Sequence, residues 1–195
     1  MNNALMEWSV LLPEIVLASG ICVLLTLDLF VRDSARDLTY LLAIFLLAGV
    51  AWVLIGTSPE STAQLAAGGA YVADGLARVL KLFAVTAVAT VFLYSRPWLR
   101  SRSLHFGEYY VLGLFGLLGV MVLASGYSLL VSYIGLEILS LSLYAMVAFD
   151  RDSARSAEAA MKYFVLGAIA SGTLLYGMSL IYGITGTLQI AELQT

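Results

Sequence analysis

Long uninterrupted blocks of apolar residues constrain this chain more than any other feature. The blocks are about 18–24 residues long, and about 20 helical residues are needed to cross the hydrocarbon core of a bilayer. Of all 195 residues, 61% are apolar and 12% are charged, whereas about 25% of the residues in a soluble domain are charged. A water-soluble globular domain and an intrinsically disordered chain are therefore both excluded.

Six of these blocks predict six transmembrane helices. The predicted spans are residues 9–30, 39–56, 73–94, 107–124, 127–149 and 160–183. Strands of a membrane β-barrel are about 10 residues long and alternate strictly between polar and apolar residues, which these blocks do not. We therefore predict an all-α fold, a polytopic membrane helix bundle. The first block is expected to be a retained span, because a signal peptide needs an early positive charge and no Lys or Arg precedes Arg32.

Proline, glycine and serine residues mark the expected helix boundaries. Pro59 cannot continue a helix, and Pro97, between two arginines, is expected to end the third span. The short turn at Ser125 and Gly126 should join the fourth and fifth spans as an antiparallel hairpin. Ser153 is expected to cap a helix that begins outside the lipid and continues into the sixth span.

The arginines of the predicted loops predict the orientation of the chain. They lie in the first, third and fifth loops: Arg32, Arg36, Arg96, Arg100, Arg102, Arg151 and Arg155. The other loops and both tails have no Lys or Arg, so the positive-inside rule places these three loops in the cytoplasm and the N-terminus outside. No basic tract indicates nucleic-acid binding. Cys22 is the single cysteine, which excludes a disulfide or a CxxC metal site within this chain.

Glu137 is the leading candidate for a functional residue, because it lies near the middle of the fifth span and hence near the membrane midplane. A charge there costs roughly 2.5–3.5 kcal/mol on insertion scales, and burial disfavours the charged form of a carboxyl group. A carboxyl group held between its neutral and ionised forms suits proton transfer. The alternative is a neutral glutamic acid that hydrogen-bonds to a neighbouring helix and serves only packing.

Tyr133, Ser140 and Tyr144 share one helical face with Glu137. This polar stripe predicts an interior or hydrated face, and ordinary hydrogen bonding between helices explains the three residues equally well. Lys162 opens the sixth span and is the second proposed member of a proton path, on its cytoplasmic side. The alternative is a lysine that extends to the interface. Since Glu137 lies about 18 Å from the cytoplasmic end of its span, we expect no direct contact between the two.

Asp74, Arg78 and Lys81 form a charged group at the start of the third span. Asp74 and Arg78 are four residues apart and are expected to pair, with Lys81 one turn deeper. The preferred interpretation is a self-neutralising cluster near the outer interface, and a role in the proton path is the alternative. Placement at the two interfaces likewise accounts for Glu14 and Asp28 in the first span.

Other features of the sequence indicate packing rather than chemistry. His105, in the third loop, is expected to be solvated, with a proton relay as the alternative. Gly167 with Ser171, and Ala168 with Gly172, are pairs of small residues that allow close helix approach. No motif is typical of a phosphate loop, a catalytic triad, a haem site or an iron–sulfur cluster, so we expect this chain to bind no cofactor or metal.

Four motifs resemble a known family. They are Glu-Tyr-Tyr at 108–110, Ser-Leu-Leu at 128–130, Gly-Leu-Glu-Ile-Leu-Ser-Leu at 135–141 and Ala-Glu-Ala-Ala-Met-Lys-Tyr-Phe at 157–164. Together they resemble the antiporter-like subunit N of bacterial NADH:quinone oxidoreductase, respiratory complex I. Sister subunits and related cation/proton antiporters more often have Trp before the glutamate, where this chain has Leu136.

The resemblance implies a membrane subunit that takes part in proton translocation in the bacterial inner membrane. Its implied partners are the lipid bilayer and other membrane subunits of complex I. Glu137 matches the family's helix-5 glutamate, and Lys162 matches its helix-6 lysine. The resemblance also implies that NADH, FMN, the iron–sulfur clusters and quinone bind to other subunits.

The family fold has about fourteen helices in two inverted repeats, so the resemblance implies the N-terminal part of such a subunit. Residues 1–105 would contain helices 1–3, and residues 106–195 would begin the proton-channel repeat. Alone, these six helices are not expected to complete a proton path. Two alternatives stay open: a subunit of a multi-subunit sodium/proton antiporter, and a helical scaffold or assembly piece in which Glu137 is a neutral packing acid.

Overall fold

A computed structural model of the protein describes residues 2–30, 37–56, 64–101 and 106–194. Within these ranges it has six long helices: α1 (Asn2–Phe30), α2 (Asp37–Gly56), α3 (Gly75–Ser101), α4 (Phe106–Ser125), α5 (Leu129–Val147) and α6 (Ala154–Thr185). Each helix is long and apolar enough to cross a membrane. The prediction of an all-α bundle with six transmembrane helices is therefore confirmed.

The predicted turn and cap signals around α5 and α6 are confirmed. The α4 helix ends at Ser125 and α5 begins at Leu129, which makes a tight antiparallel hairpin. Ser153 caps α6, because its hydroxyl accepts a hydrogen bond of 3.3 Å from the backbone N–H of Ser156. The α6 helix begins six residues before the predicted span, so its first turns extend beyond the apolar block.

The end of α3 contradicts the prediction. Pro97 lies inside the helix, which continues to Ser101. A proline removes one backbone hydrogen bond and crowds the preceding turn, but here the last turn is held by two tertiary contacts. Leu99 is fully buried, and Arg100 forms an ion pair of 2.5 Å with Asp37 at the start of α2. Packing and charge therefore override the proline signal.

The core lies among the first four helices. Its fully buried members include Leu17, Ile21, Leu47, Phe92, Leu114 and Met121. The α5 helix packs mainly on α4, and α6 packs mainly on α5. Two glycines permit the close approach of α4 and α5, since a Cβ added at Gly119 would lie 2.7 Å from the carbonyl oxygen of Gly135.

A short β-hairpin, absent from the sequence prediction, lies between α2 and α3. Strands β1 (Gln64–Ala66) and β2 (Tyr71–Ala73) pair in antiparallel register. The hairpin docks on the α4–α5 turn, where the backbone N–H of Tyr127 donates to Ala70 O over 2.9 Å. The segment after α6 joins the same turn, because Leu129 N donates to Leu188 O over 3.0 Å. We call this side of the bundle the hairpin end.

The opposite end of the bundle contains the described loop arginines. Arg96 and Arg100 at the end of α3 both pair with Asp37. Arg151, between α5 and α6, forms an ion pair of 2.6 Å with Glu108 at the start of α4. The predicted positions at Arg32, Arg36, Pro59, Arg102 and His105 lie outside the described residues.

Candidate functional site

A chain of hydrogen bonds joins α5 to α6 at Glu137. The Ser171 hydroxyl donates to Glu137 Oε2 over 2.8 Å, and Tyr133 Oη lies 2.9 Å from Ser171 Oγ. Glu137 and Tyr133 lie on α5 one turn apart, and Ser171 faces both from α6. We call these three residues the hydroxyl chain.

The geometry allows two directions of donation within the hydroxyl chain. A serine hydroxyl has one proton and two acceptor positions. In the bond between Tyr133 and Ser171 either hydroxyl can be the donor. If Ser171 donates to Glu137, its oxygen accepts the proton of the Tyr133 hydroxyl. The reverse order, in which Ser171 donates to Tyr133, requires Glu137 to be the donor, and the two orders differ only by rotation of hydroxyl groups.

Glu137 lies well inside its helix. At 1.5 Å per residue it is about 12 Å from the start of α5 and about 15 Å from its end. Its side chain is half-buried, and both polar partners in the hydroxyl chain are neutral. The carboxyl group therefore has polar neighbours at membrane depth, and none of its described contacts is with a cation.

Tyr144 lies two turns from Glu137 on the same face of α5 and also faces α6. Its ring makes edge contacts with Tyr163 at 4.8 Å and Phe164 at 5.7 Å between ring centroids. Its hydroxyl occupies the space beside Gly167, where an added Cβ would overlap it. The fourth member of the predicted stripe, Ser140, is half-buried on this face. The stripe thus faces α6.

Lys162 lies apart from Glu137. Its ammonium group is exposed and forms an ion pair of 2.5 Å with Glu158, one turn earlier on α6. Ser171 is nine residues further along α6, so Lys162 lies about 14 Å along the helix axis from the level of Glu137. Tyr144, whose ring packs on Tyr163, lies at an intermediate level.

The charged group at the start of α3 differs from its predicted arrangement. Asp74 Oδ1 accepts a hydrogen bond of 2.7 Å from Ala77 N and so caps α3. Arg78 donates to the Ile55 carbonyl at the end of α2 over 2.6 Å, where a cation also complements the helix dipole. Asp74 and Arg78 were predicted to pair with each other. Each side chain instead bonds to a backbone group at the end of a helix.

Lys81 and Glu14 form a buried ion pair, which the sequence analysis did not predict. The distance from Lys81 Nζ to Glu14 Oε1 is 2.7 Å, and the side chains are 4% and 8% exposed. Lys81 also donates to the Tyr71 hydroxyl over 2.9 Å. The core closes over these residues because α1, α3 and the hairpin meet there. At the other end of α1, Asp28 accepts a hydrogen bond of 2.7 Å from Thr39.

Sequence reasoning missed Ser171 and Tyr71 as polar partners at these two places. Ser171 was included only in a pair of small residues that predicts packing, and nothing in one sequence pairs it with Glu137. The spacing of Tyr71 from Lys81 likewise contains no pairing signal. Within the part of the chain that the structure describes, no three His, Cys, Asp or Glu side chains converge as a metal site.

Comparisons with known proteins identify the relatives of this chain. The family model described as "NADH:quinone oxidoreductase/Mrp antiporter, TM" matches residues 126–195. NADH-quinone oxidoreductase subunit N from Thioalkalivibrio sulfidiphilus is 57% identical over 93% of this chain. The chain is homologous to the N-terminal part of subunit N. Subunit N from Alkalilimnicola ehrlichii is 52% identical over 95% of this chain. The chain spans 38% of the length of each of these two relatives.

Solved structures share the fold of this chain. A chain of respiratory complex I from Thermus thermophilus superposes with a TM-score of 0.73 and 31% identity, over 91% of this chain and 38% of that chain. A chain of the membrane-bound sulfane sulfur reductase, an archaeal respiratory membrane complex, has a TM-score of 0.75 at 22% identity, over 96% of this chain and 39% of that chain. The resemblance to antiporter-like subunits of complex I is thus confirmed, and the chain is a multi-pass membrane protein.

Proposed function

We propose that this chain is the N-terminal part of a membrane subunit of a proton-pumping NADH:quinone oxidoreductase and that Glu137 is a proton-binding station within it. The observation that carries the proposal is the hydroxyl chain of Tyr133, Ser171 and Glu137 across α5 and α6. A carboxyl group at membrane depth is a functional candidate by default. A neutral hydroxyl beside it can relay a proton by accepting one proton and donating its own, so that the hydroxyl itself stays uncharged.

Proton uptake and release at Glu137 follow from the two directions of the hydroxyl chain. When Glu137 is ionised, Tyr133 and Ser171 both donate toward it. When Glu137 gains a proton, it donates to Ser171, and Ser171 donates to the Tyr133 oxygen. A change of charge in the neighbouring part of the complex would favour one state over the other, because Coulomb interactions are strong where the effective dielectric constant is low.

Lys162 is the proposed cytoplasmic member of the path, and Tyr144 and Ser140 are proposed to line it. Tyr144 lies between the levels of Lys162 and Glu137, and its hydroxyl faces α6. The gap of about 14 Å along the helix axis is too long for one hydrogen bond. Ordered water beside Tyr144 is therefore part of the proposal.

The partners and location proposed for the subunit follow from its relatives. Other membrane subunits of the complex and the lipid bilayer surround it in the bacterial inner membrane, with the N-terminus outside. NADH oxidation and quinone reduction, with FMN and the iron–sulfur clusters, are assigned to other subunits. The described segments of this chain thus contribute to proton transfer rather than to electron transfer.

Substitution of Glu137 in the full-length subunit of the assembled complex tests the proposal. In Glu137→Gln, fewer protons should be pumped per NADH oxidised, because the amide cannot bind and release a proton. Inverted membrane vesicles allow proton uptake and NADH oxidation to be measured together. Glu108→Gln removes an acid from the α4 terminus and is the matched control, with pumping expected to stay unchanged. Normal pumping in Glu137→Gln would refute the proposed role.

Two serine variants distinguish a role of the hydroxyl chain from general effects of substitutions in α6. Ser171→Ala breaks the chain and should lower proton pumping severalfold. Ser179, on the same helix, donates only to the carbonyl of Tyr176 over 2.7 Å, so Ser179→Ala should leave pumping intact. Equal pumping in both variants would leave Glu137 as a station and exclude Ser171 as its relay.

A sodium/proton antiporter subunit is the competing function, since the matched family model includes Mrp antiporters. Sodium-dependent proton movement without NADH would favour it. Proton uptake that requires NADH and is unaffected by replacing sodium with potassium would favour the oxidoreductase.

A further inference from the structure

A groove runs along α4 and α5 from the end of the bundle opposite the hairpin, which we call the arginine end. Its outer part is a cleft of about 430 Å³ beside the ion pair of Glu108 and Arg151. Its inner part is a cleft of about 310 Å³ nearer the middle of the two helices. Leu112 and Phe115 line both clefts, so the two form one continuous groove. We call it the α4–α5 groove.

The α4–α5 groove is about as long as one leaflet of a bilayer is deep. Four lining residues of α5 are spaced three or four positions apart and therefore share one helical face: Ile138, Leu141, Ala145 and Ala148. The first and last of them are ten residues apart, which is about 15 Å along the helix axis. Half of a hydrocarbon core of about 30 Å has the same length. The groove thus extends from the membrane interface to near the midplane.

Below its mouth, the α4–α5 groove is apolar. Apart from the ion pair and Ser142, every described side chain that lines it is Leu, Ile, Val, Phe or Ala. The Ser142 hydroxyl donates to Leu139 O over 2.7 Å, so its proton is already used within α5. An apolar gap that stays empty forfeits the dispersion contacts of its walls. A flexible hydrocarbon chain, which needs no hydrogen-bond partner, matches these walls.

The mouth of the groove has one cation and one anion. Arg151 Nη2 lies 2.6 Å from Glu108 Oε2, and the two side chains are 68% and 40% exposed, so the pair is accessible from outside. A guanidinium group has several N–H donors in a planar fork that matches a phosphate. The donors of Arg151 that point away from Glu108 can therefore bind a phosphate. Because the pair has no net charge, it matches a headgroup without net charge better than an anionic one.

We propose that the α4–α5 groove binds a zwitterionic phospholipid, with one acyl chain in the groove and the phosphate on Arg151. The groove has a charged pair at the interface and apolar walls toward the midplane, which is the order of charge and hydrocarbon in a lipid of one leaflet. A polypeptide at this depth would have to satisfy its own backbone groups, whereas an acyl chain has none. The groove lies on the α4 side of α5, and Glu137 faces α6, so the lipid is separate from the proposed proton path.

A map of the assembled complex, with the full-length subunit, in nanodiscs of phosphatidylethanolamine and phosphatidylglycerol tests the proposal. We expect an acyl chain in the groove as far as Ile138, and a phosphate oxygen about 2.7–2.9 Å from a guanidinium nitrogen of Arg151. In nanodiscs of phosphatidylglycerol alone, which is anionic, the phosphate peak should be severalfold weaker.

Two pairs of variants test the chain and the headgroup separately. Ala145 is exposed and lines the groove, so Ala145→Phe should fill the space and remove the acyl-chain density. Val147→Phe is its matched control, because Val147 is exposed on the same helix and lines neither cleft. Arg151→Gln should remove the phosphate peak. Arg155→Gln changes an exposed arginine in the first turn of α6 and should keep that peak.

The wild-type map alone can overturn the proposal, so the test does not depend on whether a variant assembles. An empty groove in a map that shows other lipids would overturn it, and so would a polypeptide segment in the groove. Acyl-chain density that persists unchanged in Ala145→Phe would mean that the chain lies elsewhere. Equal phosphate peaks in the two kinds of nanodisc would overturn the choice of a zwitterionic headgroup. None of these results bears on proton pumping at Glu137.

Discussion

Glu14 and Glu137 both lie inside helices of this chain, and their partners differ in charge. Glu14 contacts the Lys81 ammonium group, so loss of its charge would leave a buried cation without a counter-charge. Glu137 contacts a neutral hydroxyl, so a change in its charge leaves no partner cation without a counter-charge. The nature of the partner, rather than depth alone, thus distinguishes a structural acid from one suited to proton transfer.

Substitution of Lys81 should reveal the structural role of Glu14. Lys81→Met leaves an unpaired buried carboxylate, and such losses typically cost about 3–5 kcal/mol of stability. We expect less assembled complex and a lower unfolding temperature. Lys162→Met breaks an exposed pair and should cost about 1 kcal/mol or less. Adding Glu14→Gln to Lys81→Met should restore part of the loss; equal stability of Lys81→Met and Lys162→Met would contradict the burial of this pair.

The sequence predicts the candidate acid but not its partners. Glu137 is identifiable because one carboxyl group in the middle of an apolar span is costly, and the stripe at Tyr133 and Tyr144 follows from helical spacing. Ser171 is separated from Glu137 by a whole loop, and tertiary packing alone brings them together. The same holds for Glu14 and Lys81, whose pairing cannot be predicted when each helix is considered alone.

Bilayer thickness sets the lengths of the helices, whereas tertiary contacts determine where each helix ends. Span lengths are predictable because membrane thickness sets the number of apolar residues. Pro97 shows the limit of local signals, since buried Leu99 and the Arg100–Asp37 pair continue α3 past it. The hairpin formed by β1 and β2 was not predicted, because strands of three residues contain too little periodicity.

The contact between α5 and α6 depends on Gly167. In Gly167→Ala the new methyl group would overlap the Tyr144 hydroxyl, and such overpacking typically costs about 1–3 kcal/mol. Gly172→Ala is the control on the same helix, since nothing lies within 4 Å of its added Cβ. Thermal unfolding of the assembled complex should show a lower transition only for Gly167→Ala. A stable Gly167→Ala subunit with normal pumping would mean that α5 and α6 do not approach closely at Tyr144.

At the scale of the whole molecule, the described loop arginines that form ion pairs lie at one end of the bundle. Arg96, Arg100 and Arg151 lie at the end opposite the hairpin, and ion pairs with Asp37 and Glu108 tie the helices together there. The hairpin end is joined by backbone hydrogen bonds. The positive-inside rule therefore predicts that the arginine end faces the cytoplasm.

Cysteine labelling tests this orientation. In a background with Cys22→Ser and no other cysteine in the subunit, Asp152→Cys places a thiol in the exposed loop between α5 and α6, and Ala191→Cys places one after α6. A membrane-impermeant thiol reagent added to intact cells after outer-membrane permeabilisation should label Ala191→Cys only. In inverted vesicles the pattern should reverse. Labelling of Asp152→Cys in the cells would require the opposite orientation.

The docking of the hairpin also sets an order of events during biosynthesis. The Gln189 side chain donates to the carbonyl of Gly68 over 2.9 Å, and the two residues are 121 positions apart. At about 5–20 residues per second, the ribosome needs roughly 6–24 s to make the intervening polypeptide. The hairpin is thus made long before Gln189, and insertion machinery or chaperones have that interval in which to bind the surface that Gln189 later contacts.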